Sequence, residues 1–266
     1  MVEKVARRVD MVVGSGSKGQ TDITRYKSRF YQLPVSYFTA ADKWANSPQF
    51  PGHIAVFNRS ITSRCLECHT TFVQRISAPE KQPEEFNPDQ FIFGVDCEKC
   101  HGPGARHIAF QTQNPNETKA MYILNPARFS RQQILDLCGL CHGGRLQKTK
   151  ASFSFVSGDS LSSYFKMDTV HPDPQNIDVH GNQLGLLRSS KCFIMSGTLT
   201  CVTCHNSHEY ERGKTALFSS RCMNCHNPAH EPVCKLTKTM GSVISQTGID
   251  CHMPSTASKS ISELLH

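Results

Sequence analysis

The stretch Cys65-Leu66-Glu67-Cys68-His69 contains the pattern CxxCH, two cysteines three positions apart with a histidine directly after the second. The pattern returns four times further along the chain. With 13 cysteines and 13 histidines among 266 residues, random placement would give only about 0.03 copies of this pattern. The five copies are Cys65, Cys68 and His69; Cys97, Cys100 and His101; Cys138, Cys141 and His142; Cys201, Cys204 and His205; and Cys222, Cys225 and His226.

This spacing suits covalent attachment of haem c. Residues three apart lie on one face of a helical turn, so both thiols can add to the two vinyl groups of one porphyrin, and the next imidazole binds the iron as proximal ligand. A structural zinc site also uses four cysteine or histidine ligands, but it does not need a histidine directly after the second cysteine in every copy. A disulfide framework would have to close a strained small loop in every pair. The pattern therefore predicts five c-type haems.

A sixth haem is predicted near the C-terminus, where residues 248–252 read GIDCH. Glycine stands where the first cysteine belongs, so Cys251 would supply a single thioether and His252 the proximal ligand. Cys234 could add a second thioether, because closing the loop between it and Cys251 costs little entropy; both forms of attachment remain open. Cys192 is expected to be a small buried apolar side chain, with a disulfide to Cys234 as the alternative.

The seven other histidines are candidates for the distal face of the irons. Three of them follow a proximal histidine too closely to reach the opposite face of the same iron, but each could reach a neighbouring haem and so tie two haems together. The predicted distal ligands are His107, His180, His208 and His230. A surface position is favoured for the others, which are His53, His171 and His266.

The first forty residues differ from the rest of the chain. Alternating apolar residues before a glycine- and serine-rich turn at 14–19, and a strand over 30–38 with Pro34 at an edge, predict a small antiparallel β unit in residues 1–40. Residues 41–266 are expected to form one multihaem domain of short helices and irregular chain wrapped around stacked haems. A capping box at 130–133 predicts a helix that runs into Cys138, and helices are also expected over 184–195 and 215–225.

The net charge of +7 suggests an acidic partner at first sight. The basic residues are not concentrated in any stretch, so we expect no nucleic-acid binding. The excess positive charge is expected to balance the negative charges of haem propionates. No apolar run reaches the 18 or so residues that a spanning helix needs, so the chain is not expected to cross a membrane.

The chain resembles the multihaem cytochrome c family that includes the tetrahaem electron carrier of ammonia oxidisers and its larger relatives from Bacteroidetes-type bacteria. The matching segments are CLECHTT at 65–71, CEKCHGPGARH at 97–107, CVTCHNSHE at 201–209, CMNCHNPAH at 222–230 and DCHMP at 250–254. The resemblance implies a periplasmic or extracellular electron-transfer protein with mostly bis-His haems. It also implies that His107, His208 and His230 each serve a neighbouring haem.

The chain departs from this family in two places. Gly248 replaces the cysteine of the family's last motif, and the relatives' signal peptide and upstream CxxCH segment are not in this sequence. Because haem c is attached after export, we expect a processed or partial version of an exported protein.

Three functions fit these features. The first is electron transfer through about six haems, with redox proteins such as other multihaem cytochromes as partners and no catalytic residues. The second is an oxidoreductase acting on a small nitrogen or sulfur compound at one haem with an open site, although no CxxCK motif is present. The third is a homo-oligomer or conductive filament built by ligation between subunits.

Overall fold

The computed structural model of the chain describes residues 5–52, 54–76, 82–167, 181–226, 234–241 and 243–254. Five histidines discussed above lie outside these ranges, namely His53, His171, His180, His230 and His266.

The N-terminal part forms a four-stranded antiparallel sheet. Its strands, β1 (Met11–Val13), β2 (Gly19–Tyr26), β3 (Arg29–Phe38) and β4 (Lys43–Asn46), are neighbours in the order of the chain. The predicted antiparallel β unit is therefore confirmed. The fourth strand lies beyond residue 40, so the sheet extends past the boundary expected from the sequence.

Pro34 lies in an inner strand, and its predicted place at an edge is wrong. β3 pairs with β2 on one side and with β4 on the other. The pairing with β2 shifts register between Thr21 and Ile23, opposite the part of β3 that contains Pro34. A proline has no N–H to donate, and an irregularity of this kind is where an inner strand tolerates it. The carbonyl of Pro34 still accepts a hydrogen bond from the Ser47 N–H, at 2.7 Å.

The first CxxCH copy is anchored on this sheet. It lies in α1 (Ser63–His69), which leads into an antiparallel hairpin of β5 (Thr70–Ile76) and β6 (Glu85–Phe93). Leu66, inside the motif, is 1% exposed and belongs to the core that joins sheet, helix and hairpin. Burial of such side chains stabilises the fold by about 1.5–3 kcal/mol each. The buried members of this core are Ile23, Phe30, Ile61, Leu66, Val73 and Phe86.

Short helices dominate the rest of the described chain, and the predicted mixture of short helices with a small β unit is confirmed. They are α2 (Cys97–His101), α3 (Ala105–Gln113), α4 (Arg131–His142), α5 (Gln183–Ser189), α6 (Lys191–Met195), α7 (Cys201–Cys204), α8 (Thr215–Met223), α9 (Thr237–Met240) and α10 (Val243–His252). A two-stranded ladder of β7 (Gln147–Lys148) and β8 (Phe165–Lys166) lies after α4.

The capping box before α4 is confirmed. The Ser130 hydroxyl accepts from the Gln133 N–H, and the Gln133 side chain accepts from the Ser130 N–H at 2.8 Å. The helix then runs through Cys138 to His142, and its buried face joins a second apolar core. The buried members of that core are Leu140, Leu146, Leu161 and Phe165.

The helix expected over 184–195 is divided in two. Ser190 has an extended backbone with ψ of 143°, so it ends α5 and starts α6. Its hydroxyl accepts from the Phe193 N–H at 3.2 Å and caps the new helix. Serine competes with the helical backbone in this way, which explains why apolar periodicity alone missed the break.

Candidate haem sites

Every CxxCH copy lies on a helical turn. In α1, α2 and α4 the second cysteine and the histidine close the helix, and α7 ends at Cys204 with His205 as its next residue. In the fifth copy α8 ends at Met223, and the turn continues because the His226 N–H donates to the Cys222 carbonyl at 3.0 Å. None of the ten cysteines is in a disulfide. The residues therefore fit a porphyrin bound by two thioethers and an imidazole.

One loop orients two imidazoles in the same way. Nδ1 of His101 lies 2.9 Å from the Leu124 carbonyl oxygen, and Nδ1 of His107 lies 2.8 Å from that of Met121. A carbonyl can only accept, so each Nδ1 carries the hydrogen and each Nε2 keeps its lone pair for a metal. Ligating histidines commonly have such an outer hydrogen bond.

His208 lies next to His101 although it comes 107 positions later in the sequence. Their ring centres are 6.0 Å apart and their planes are inclined by 34°. Two axial imidazoles on opposite sides of one iron, with metal–nitrogen bonds of about 2 Å, have ring centres roughly 6 Å apart. The separation therefore fits a pair of axial ligands on the second CxxCH copy.

Different CxxCH copies are in contact. The Cys68 thiol of the first copy donates to the carbonyl of Leu140, inside the third copy, at 3.6 Å, and α4 of the third copy packs against α7 of the fourth. These contacts join the first copy to the third and the third to the fourth. The Arg64 guanidinium strengthens the first junction by donating to the Leu140 carbonyl at 2.8 Å.

The junction also changes thiol acidity before any haem is attached. The hydrogen bond from Cys141 lowers the pKa of Cys68 to about 7, and Arg64 acts in the same direction. The thiolate is the nucleophilic form of cysteine, so the shift favours reaction at this sulfur.

Comparison with known proteins finds similarity to cytochromes c. A model of the family "Cytochrome c554 and c-prime" matches residues 38–102, which include the first two CxxCH copies. The chain is also 24% identical over 151 residues to a C-type polyheme cytochrome, OmcC, of Geobacter sulfurreducens. Over these segments the chain is similar to multihaem cytochromes c. Such cytochromes bind c-type haem covalently and transfer electrons.

The match to the Geobacter cytochrome is partial. It covers 53% of this chain and 17% of the longer relative, so the chain spans about a sixth of that protein. No solved structure matches the chain.

A bidentate ion pair holds the fourth and fifth motifs together. Glu211 is 7% exposed and receives two hydrogen bonds from Arg221, at 2.5 and 2.8 Å. Arg221 also donates to the Cys204 carbonyl at 2.7 Å, and Glu211 accepts from the Asn206 N–H at 2.9 Å. The hydrogen bonds from Arg221 lower the pKa of Glu211 to about 2. Arg221 directly precedes Cys222, so the pair fixes where the fifth motif begins relative to the fourth.

The incomplete sixth motif lies against α8. Cys251 and His252 close α10, and the Ile249 N–H is 3.3 Å from the Ser219 hydroxyl. A Cβ atom at Gly248 would meet no other atom within 4 Å, so nothing in the described chain blocks a side chain there. Cys251 and Cys234 are both exposed, and their roles stay predictions.

Cys192 departs from its expected state. The residue is exposed and forms no disulfide, so neither the buried apolar role nor the bond to Cys234 is found. It lies in α6, near the thiols of Cys204 and Cys222, whose pKa values are raised by burial first and by neighbouring groups, including Cys192, second. α6 has only five residues, too few for apolar periodicity to predict which side is exposed.

The candidate proximal histidines at the other motifs are all exposed. They are His69, His142, His205, His226 and His252. Their ligand roles, like those of the motif cysteines and the distal histidines, remain proposals.

Several groups that shape the candidate haem sites could not be recognised from the sequence. The carbonyls of Met121 and Leu124 belong to an irregular loop, and any residue type could present them. Arg221 and Glu211 are charged residues in a region that reads as ordinary surface. Glu67 and Lys99 do have a signal, because each is a charged residue inside a CxxCH copy.

Proposed function

We propose that this cytochrome carries electrons along a row of closely spaced haems. The observation that carries the proposal is the contact of the first motif with the third, where the Cys68 thiol lies 3.6 Å from the Leu140 carbonyl oxygen, and of the helix of the third motif with that of the fourth. Sulfur bonds directly to the porphyrin edge, so haems attached to motifs in contact would be neighbours. Each haem, when bound, stores one electron by cycling its iron between the ferric and ferrous states. The chain holds the haems in place and orients their imidazoles.

The proposal includes six haems, five at the CxxCH copies and one at Cys251 and His252. The proximal ligands are His69, His101, His142, His205, His226 and His252. His208 is proposed as the distal ligand opposite His101, on the strength of the 6.0 Å spacing. His107 is a further distal ligand because its Nδ1 is occupied by Met121. His180 and His230 stay proposed distal ligands, outside the described residues.

Exposed apolar side chains beside the motifs support the presence of porphyrins. Val202, within the fourth motif, is 54% exposed, and Ile108, next to His107, is 65% exposed. Met195, in α6 near that motif, is 84% exposed. Large apolar groups are costly in water, and a porphyrin face would cover them. The haems would thus supply core that the short helices lack, with the chain wrapped around them.

The proposed setting is the periplasm or the cell exterior, because haem c is attached after export. Within the described residues, no helix combines the length and apolar character that a membrane crossing requires. The proposed partners are redox proteins, including other multihaem cytochromes, since one relative carries that description. Assembly into a filament is a further proposal that sizing of the native particle would test.

The test is a reductive titration of the native protein, followed by absorption and by electron paramagnetic resonance. An electron carrier with bis-His haems gives low-spin ferric signals that all disappear on reduction, and addition of nitrite, hydroxylamine or sulfite leaves the oxidised spectra unchanged. A high-spin ferric signal that shifts with one of these compounds would instead identify the oxidoreductase, since an open iron site is what that function needs.

A variant pair tests the order of the haems. The double variant Cys138→Ala, Cys141→Ala removes the haem attachment at the third motif, which lies between the first and the fourth. We expect one haem fewer and slower equilibration of electrons among the remaining haems in stopped-flow reduction. The matched pair Cys222→Ala with Cys225→Ala also removes one haem but leaves the first-to-fourth route intact, so it is expected to slow equilibration less. Equal effects would contradict the proposed order.

A further inference from the structure

Two neighbouring motifs carry opposite charges at the same place. Glu67 and Lys99 both stand directly before the second cysteine of their CxxCH copies. The corresponding residues of the other three copies are uncharged, and they are Leu140, Thr203 and Asn224. The charges are therefore a property of the first two motifs and not of the pattern itself.

The Glu67 carboxylate is buried between the first motif and the loop after α4. Glu67 is 2% exposed. Its carboxylate accepts from the Phe153 N–H at 2.8 Å and lies 3.5 Å from the Arg64 guanidinium. Little water reaches the group, so its charge acts on its surroundings at a lower effective dielectric than on the surface.

The Lys99 ammonium approaches the same place from the second motif. Its nitrogen lies 5.1 Å from the centre of the Phe153 ring and 3.3 Å from the Thr71 carbonyl oxygen. Phe153 thus contacts Glu67 through its backbone and Lys99 through its ring. Both charges therefore lie against Phe153, in the loop that follows α4.

Reduction of a ferric haem adds one electron, taken from a neighbouring haem or a redox partner, and makes the site more negative by one unit. A fixed carboxylate nearby opposes that change, and a fixed ammonium favours it. No proton moves and no bond forms in this step.

We propose that Glu67 lowers the reduction potential of the haem on the first motif and that Lys99 raises the potential of the haem on the second. The inference rests on the proposed electron transfer and specifies how the chain separates the potentials of adjacent haems. Neither residue ligates iron, and each acts on the haem electrostatically, through space.

The experiment is potentiometric titration of the haem-loaded protein with Glu67→Gln and, separately, Lys99→Gln. Glutamine keeps an oxygen that can accept from the Phe153 N–H, so Glu67→Gln removes the charge and preserves the contact. We expect one haem of Glu67→Gln to become easier to reduce by roughly tenfold in equilibrium constant, or about 59 mV for one electron. Lys99→Gln is expected to make one haem harder to reduce. The matched control is Glu117→Gln, the same charge change at an exposed residue, with an expected change below about twofold because water and salt screen it.

Further measurements separate this inference from the proposed function. Intact mass must show the same number of haems in each variant as in the parent chain; a parent without haem would defeat the electron-transfer proposal itself. Glu67→Asp keeps the charge and is expected to retain the parent potentials. The inference would be overturned by unshifted potentials in haem-loaded Glu67→Gln and Lys99→Gln, or by shifts of the same sign in both. A shift in Glu67→Asp equal to that in Glu67→Gln would overturn it as well.

Discussion

The imidazole rings of His101 and His208 lie 6.0 Å apart, centre to centre, across more than one hundred residues of sequence. His101 ends the second CxxCH motif, and its Nδ1 is held by the Leu124 carbonyl at 2.9 Å. His208 comes from the turn after the fourth motif, where its N–H donates to the Asn206 side chain at 3.0 Å. A shared iron would therefore tie the second motif to the fourth and close the packed group of haems.

Replacement of His208 tests this pairing. His208→Met is expected to change the spectrum of one haem and raise its potential, because thioether ligation favours ferrous iron more than imidazole does. Attachment at Cys201 and Cys204 is expected to stay intact. The measurement combines absorption, paramagnetic resonance and potentiometry. Ser207→Met places the same side chain one position away at an exposed residue and serves as control; if it matched His208→Met, or if His208→Met left every spectrum unchanged, His208 would not be the ligand.

The sixth motif gives a gain-of-attachment prediction. Gly248→Cys restores CxxCH at a position where a new side chain meets open space. We expect the pyridine haemochrome band of one haem to shift toward that of a haem with two thioethers, at an unchanged haem count. Cys251→Ala is expected to remove that haem from the intact mass.

Cys234→Ala distinguishes the two forms of attachment. With a single thioether from Cys251, the variant keeps both the haem count and the haemochrome spectrum of the parent. A spectrum that changes in Cys234→Ala would assign the second thioether to Cys234 instead.

The Glu211–Arg221 pair predicts how the protein responds to acid. The folded pKa of Glu211 is about 2, below its ordinary value of 4.5. Its contribution to stability is therefore fully present above about pH 4.5 and is lost as the pH falls through about 2. Glu211→Gln removes this contribution and is expected to move the acid unfolding midpoint, followed by far-ultraviolet circular dichroism, to higher pH. Glu209→Gln, an exposed neighbour, is the control, and identical midpoints in the two variants would refute the role of the pair.

Gly139 predicts a packing limit inside the third motif. A Cβ atom there would lie 2.7 Å from Leu184 Cδ2 and 3.2 Å from Leu161 Cδ2. Both leucines are buried, so Gly139→Val is expected to reduce the free energy of unfolding by about 1–3 kcal/mol through overpacking. Chemical denaturation gives the value. Gly197→Val, at a position where a Cβ atom meets nothing within 4 Å, is the comparison, and a loss of equal size there would show that close packing is not the cause.

Local structure with a chemical signature could be predicted from the sequence. The CxxCH copies lie on helical turns because the same spacing that serves the porphyrin also suits a helix. The capping box at Ser130 and the N-terminal strands follow from side-chain hydrogen bonding and alternating apolar residues. Pro34 in an inner strand and the break at Ser190 were missed, because a register shift and a local cap depend on neighbours that periodicity does not reveal.

Relations between distant segments could not be read in the same way. His208 was a predicted ligand, but nothing in the sequence specified His101 as its neighbour. The carbonyls of Met121 and Leu124 have no residue-type signature at all. The burial of Glu67 depends on Phe153, which comes from a loop after α4.

The most direct test of the central claim is the intact mass of the denatured, reduced protein isolated from a cell that attaches haem c, compared with the mass of the polypeptide alone. The account predicts an excess equal to six covalently bound haems, falling to five if the incomplete last motif is empty. A correctly folded, colourless protein with the mass of the bare polypeptide would contradict it.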